Sequence, residues 1–269
     1  MNIVDVGQGT PVVVIPGVQG RWEWMRPAVD ALATRCRVLT FSLADEPTAG
    51  ARFDTAQGFW SYVQQVADAM DAASIGTAAI LGVSYGGLIA AAFAASHPDR
   101  VSALVLVSAL PPAWTPDSRV RFFIRAPRLL TPLFLMSSLR LYREIAAATP
   151  GFLPGMRAAV RHALTTLMHP FNPARMARRV RLLSAVDLRD VVARVQVPTL
   201  VITGEPSLDR VVPVSATRDY LRMWPHARQA TLARTGHLGL ITRAGEFARI
   251  VGDFVDKNGV GGHLKRTSA

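Results

Sequence analysis

Short apolar runs alternate with segments of helical periodicity along most of this 269-residue chain. That alternation predicts an α/β fold, a doubly wound and mainly parallel sheet covered by helices. Residues 1–6 read as a first strand. Val12-Val13-Val14-Ile15 reads as a buried second one, closed by Pro16 and Gly17. A helix is predicted over residues 24–34 and a strand over 37–41. Phe59, Val63, Val66 and Met70 recur at i, i+4, i+7 and i+11, so residues 55–72 form an amphipathic helix with Thr55 as its cap. A strand at 78–81 leads into a helix at 86–96 that Pro98 stops. Further strands are predicted at 101–110, 199–203 and 230–232, and a last helix at 244–257.

From Ala72 to Pro98 the chain carries no Asp, Glu, Lys or Arg, which is long enough to suggest a membrane span. Its glycines, together with Ser84 and Tyr85, divide the run into strand, turn and helix. A buried unit at the centre of the sheet therefore explains it better.

Between residues 111 and 186 the alternation stops. The stretch is too long for a structureless loop, and Pro127, Pro132, Pro150, Pro154, Pro170 and Pro173 cut it into short pieces rich in Leu, Phe, Met and Arg. It reads as a helical cap inserted between two strands, with residues 1–110 and 187–258 forming the core. Residues 259–269 hold three glycines and few apolar side chains, the composition of a disordered tail.

Charge is concentrated in that insertion. The chain's net charge is +11, and residues 111–186 hold twelve arginines against two acids, Asp117 and Glu144, a surplus of ten. Solvated helix faces are the plain explanation, with attraction to anionic substrates or to a membrane surface beside it. No motif of nucleic-acid binding accompanies the charge, so that partner is not expected. The single cysteine, Cys36, excludes an internal disulfide framework and suits a reducing cytoplasm. The first residues lack the pattern of a secretory signal. Neither a metal-ligand motif nor a phosphate or dinucleotide fingerprint is present.

Chemistry enters at Gly82-Val83-Ser84-Tyr85-Gly86, a G-x-S-x-G string between a predicted strand and a predicted helix. That context is what a nucleophile elbow requires: a tight turn that projects the serine hydroxyl outward, with flanking positions nearly free of side chain. A serine needs a base. Of six histidines, His97, His162, His169, His226 and His263 read as surface or packing residues. His237 alone occupies the turn between a late strand and the last helix, at the sheet edge that bears Ser84. The base in turn needs an acid to orient it. Asp209 and Glu205 both follow the strand at 199–203, and Asp209 is the preferred one.

Together these features resemble the α/β-hydrolase superfamily, in its cap-bearing branch of esterases, lactonases and carbon–carbon hydrolases. The order Ser84, Asp209, His237, the elbow, the Asp-x-x-Val-Pro sequence at 209–213 and Gly236-His237 carry the resemblance. It implies a serine hydrolase acting on a small ester-like molecule without a cofactor. It also implies an oxyanion hole made by the backbone N–H groups of Val18 and Tyr85. The family's usual His-Gly is replaced here by Pro16-Gly17, and the spacing from Gly204 to Asp209 is longer than usual. A substrate pocket is expected from Trp114, Phe122, Phe123, Phe134, Met136 and Met168, with Phe152, Met156 and Phe171 beside them, although most of these also suit the cap's own core. An acyltransferase using the same residues, and a ligand-binding protein without catalysis, remain open.

Overall fold

In the computed structural model, which describes residues 1–137, 141–149 and 151–258, the chain first lays down β1 (Ile3–Val6) and β2 (Pro11–Ile15). Then follow α1 (Arg26–Ala33), β3 (Arg37–Phe41), α2 (Trp60–Ala72), β4 (Ala78–Val83), α3 (Tyr85–Ser96) and β5 (Val101–Val107). Five helices come next: α4 (Ser118–Arg125), α5 (Thr131–Ser137), α6 (Leu141–Ala148), α7 (Phe152–Met168) and α8 (Pro173–Ser184). The chain then returns through α9 (Arg189–Val192), β6 (Thr199–Thr203), α10 (Val214–Thr217), α11 (Asp219–Met223), β7 (Arg228–Thr231), α12 (Gly239–Thr242) and α13 (Ala244–Asn258). The strand order is β1-β3-β2-β4-β5-β6-β7, parallel throughout except for β1.

Successive side chains of a strand point to opposite faces, and here both faces are covered. Val13, Ile15, Leu39, Phe41, Ile80 and Leu104 pack into one apolar layer with α2 and α3. Val12, Val14, Val38, Ala79, Leu81 and Val105 pack into the other with α1 and α13. β4 is buried at every position, and α3 is buried from Tyr85 to Ala94. The charge-free run is thus the middle of the core, where an ionised side chain would have no water. Removing a ring from this interior, as in Phe247→Ala, should cost about 3–5 kcal/mol.

One boundary differs from the periodicity. The helix expected from residue 55 begins at Trp60, and Thr55 does not cap it. Gly58 adopts a left-handed φ of 56°, which interrupts the helix, and the Asp54 side chain instead accepts from the N–H of Ala56. The turn residues won over the apolar spacing. The tail at 259–269 and the side chains of Phe152 and His162 lie outside what is described. Among the described residues, no helix is long and apolar enough to cross a membrane.

Candidate active site

The loops that leave the carboxyl ends of β2, β4, β6 and β7 meet at one edge of the sheet. In this topology such an edge is where ligands bind. The four loops carry Gly17 and Val18, Ser84, Asp209, and His237 respectively.

Ser84 has φ 54° and ψ −116°, a conformation that costs on the order of 1–3 kcal/mol for a residue with a Cβ. Its surroundings enforce it. The Ser84 N–H donates to the carbonyl of Val107 at 2.9 Å, and its own carbonyl accepts from the Gly87 N–H at 2.9 Å. A Cβ at Gly82 would lie 2.3 Å from the Gly86 oxygen, and one at Gly86 would lie 2.5 Å from the Pro16 oxygen. The two glycines therefore let β4, α3 and the β2 loop close on one another around the serine.

Asp209 and His237 are brought together in a similar way. A Cβ at Gly236 would meet the Asp209 nitrogen at 2.7 Å, so the absent side chain lets the two loops press together. Asp209 Oδ2 lies 3.4 Å from His237 Nδ1, while Oδ1 accepts from the N–H groups of Val211 and Val212, each at 3.0 Å. Burial alone would raise the Asp209 carboxyl. The hydrogen bond and charge of His237, with those two N–H groups, outweigh burial and hold it below the usual carboxylate range. Glu205, the competing acid, faces elsewhere: its side chain accepts from the Arg234 N–H at 2.6 Å. Of the other histidines, His97 stacks on Phe93 and His169 sits 3.7 Å from Glu23.

Gly17 packs against the serine, since a Cβ there would lie 3.5 Å from that of Ser84. Among the described residues, no acceptor takes the N–H of Val18 or of Tyr85. The Val18 carbonyl is occupied: Arg179 Nη1 of α8 donates to it at 2.8 Å.

Arg179 departs from the solvated basic face expected of the arginines at 111–186. Its side chain is 0% exposed and forms 2.6 Å ion pairs with both Asp45 and Glu46. Burial would lower its pKa, but these two carboxylates raise it instead. A second buried polar group from the insertion reaches the His237 loop. Glu144 of α6 is 1% exposed, and its Oε1 accepts from the N–H of Gly236 at 2.7 Å and of Leu238 at 2.5 Å. Burial pushes its carboxyl up to about 7, against the pull of the two N–H groups and His237; Asp209 adds to the rise. Neither contact is written locally in the sequence. The one available signal was that Glu144 is a lone acid within helices otherwise charged by arginine.

The expected pocket residues separate. Phe122, Phe123, Phe134 and Phe171 contact one another in sequence, each adjacent pair of rings 5.5–5.7 Å apart and steeply tilted, and Trp114 packs on the sheet core. Met136 and Met168 are 66% and 70% exposed, and Phe122 is 46% exposed. These three face water rather than an enclosed pocket, because α4, α5 and α7 turn those positions outward. A small cleft beside the His237 loop, which Ser84 and Asp209 do not border, is lined by Trp24, Pro27, Ile145, Arg161, Leu238 and Ile241.

The fold and these loops define a class. The model of the alpha/beta hydrolase fold family matches residues 10–163, and the chain belongs to that family. It is 27% identical to the pimeloyl-[acyl-carrier protein] methyl ester esterase of Vibrio atlanticus, covering 93% of this chain and 96% of that one. It is also 27% identical to the 2-hydroxy-6-oxo-2,4-heptadienoate hydrolase of Pseudomonas putida, over 94% and 92%. Among solved structures, an esterase from Exiguobacterium antarcticum superposes with a TM-score of 0.77 at 19% identity, over 94% of each chain. An enol-lactonase from Burkholderia xenovorans gives 0.76 at 21%, over 95% and 96%. These two likenesses show the fold. The relatives support a hydrolase of esterase type.

Proposed function

We propose that this protein is a serine hydrolase that cleaves an ester, thioester or lactone of a small, largely apolar acyl group through an acyl-enzyme. The pairing of Asp209 with His237, at the edge where Ser84 is held at positive φ, carries the reading. Nδ1 of His237 faces the aspartate, which leaves Nε2 to take a proton. Ser84 Oγ attacks the acyl carbon as its proton passes to Nε2, and the carbonyl oxygen becomes an oxyanion received by the N–H groups of Val18 and Tyr85. When the tetrahedral intermediate collapses, the alcohol leaves with the proton from His237. Water then attacks the acyl-enzyme, giving its proton to His237. The acid departs as that proton returns to Ser84.

In this reading residues 1–110 and 187–258 are the catalytic core and residues 111–186 a cap. A carbon–carbon hydrolase is the second reading, favoured by the likeness to the Pseudomonas putida enzyme. The test is covalent labelling by a fluorophosphonate probe. Ser84→Ala should abolish labelling and lower turnover by about 10⁴–10⁶-fold. A fully labelled Ser84→Ala protein would remove the serine from its role.

A further inference from the structure

The two peptide N–H groups that bracket His237 have their acceptor more than ninety residues away, on the inserted helix α6. Both converge on Oε1 of Glu144, at 2.7 Å from Gly236 and 2.5 Å from Leu238. Gly236 is buried, and Leu238 is partly so. Without Glu144 these donors would lack that acceptor inside the protein, and a loop left so tends to move toward water. The other carboxylate oxygen, Oε2, is buried with no hydrogen-bond partner among the described residues. The titratable groups acting on Glu144 are His237 and Asp209. Ile145 of the same helix and Leu238 both line the neighbouring cleft.

We propose that Glu144 is a positioning residue, a carboxyl carried by the insertion that grips the backbone on both sides of His237 and so fixes where the imidazole sits. This rests on the reading of His237 as the base. It touches no substrate in this role. It makes the placement of the base depend on how the insertion is seated, since losing the α6 contact frees the loop even when β6 and β7 are intact. A glutamine at this position keeps an Oε1 acceptor for both N–H groups, whereas an alanine offers none.

The experiment compares full-length Glu144→Ala and Glu144→Gln with the unaltered protein, each normalised by active-site titration and checked for folding by circular dichroism. Glu144→Ala should lose about 10–100-fold in kcat and in fluorophosphonate labelling rate, with KM changed less than about threefold, because a small misplacement of a catalytic group has costs of that size. Glu144→Gln should retain kcat to within about threefold. Equal rates for Glu144→Ala and the unaltered protein would overturn the proposal. So would losses in both variants that track only the fraction folded. Neither outcome would bear on Ser84, whereas labelling of Ser84→Ala would overturn the hydrolase reading and leave the loop contact untouched.

Discussion

The guanidinium of Arg179 donates to the carbonyl of Val18, across 161 positions of sequence, while the same group is locked between Asp45 and Glu46. An arginine of α8 thereby braces the loop whose Gly17 packs against the serine. Arg179→Met would leave the buried Asp45 charge uncompensated and Glu46 with its longer 3.3 Å contact to Arg175, at a cost of about 3–5 kcal/mol. The melting temperature should fall by roughly 10 °C in a scanning melt. Adding Asp45→Asn and Glu46→Gln should recover most of that loss, but the Val18 carbonyl would still lack its donor. The triple variant should therefore stay slow in turnover while melting near the original temperature. Full recovery of both would make Arg179 purely structural.

The acid can be identified by comparing isosteres. Asp209→Asn should lower kcat by about 10²–10⁴-fold, because His237 loses the charge that orients it. Glu205→Gln should cost less than about tenfold, since its carbonyl oxygen can still accept from the Arg234 N–H. Steady-state rates with one p-nitrophenyl ester decide between them, and the reverse ranking would move the role to Glu205.

Two carboxyls at this site should give pH dependences of opposite sign. Asp209 is held low in the folded protein, so its contribution is present above its unfolded value and is lost as pH falls through the folded one. Glu144 is raised from 4.5 to about 7, so the folded state prefers it protonated. That preference is full below pH 4.5 and disappears as pH rises through about 7. Glu144→Gln mimics the neutral acid. Thermal melts should show the glutamine variant gaining on the unaltered protein between pH 5 and 8. A constant gap across that range would mean that Glu144 titrates as an ordinary surface acid.

Acyl preference tests the proposed acyl group. Rates for p-nitrophenyl esters, read as kcat/KM, should rise from two acyl carbons to about six, with at most about 0.8 kcal/mol for each buried methylene. Added salt beyond about 0.1 M should slow an anionic ester more than a neutral one if the exposed arginines attract substrate. Flat responses in both series would separate the insertion's composition from substrate choice.

The parallel sheet and the serine turn were legible because each is written in adjacent residues. The apolar run at 78–83 and the glycines around Ser84 carry their own explanation. The helix starts at Trp60 and not at residue 55 because Gly58 and Asp54 decide it through turn geometry, which apolar spacing does not report. The partners of Arg179 and Glu144 were not legible, although Glu144 stands out as a lone acid among arginines. Twelve arginines look alike along residues 111–186, and only the fold selects the one that is buried between two acids. Met136 and Met168 show the converse: an apolar residue in an amphipathic helix names no face until its neighbours are known.

Helical segments inserted between β5 and β6 invite treatment as interchangeable parts, to be traded between related enzymes for new specificities. The two buried contacts argue against such a trade in this chain. A foreign segment lacking a partner for Asp45 and Glu46 would strand their charges, and one lacking the α6 carboxyl would release the base. A working chimera would have to carry equivalents of Arg179 and Glu144 together, so breakpoints chosen at the strand ends alone should yield folded but sluggish hybrids.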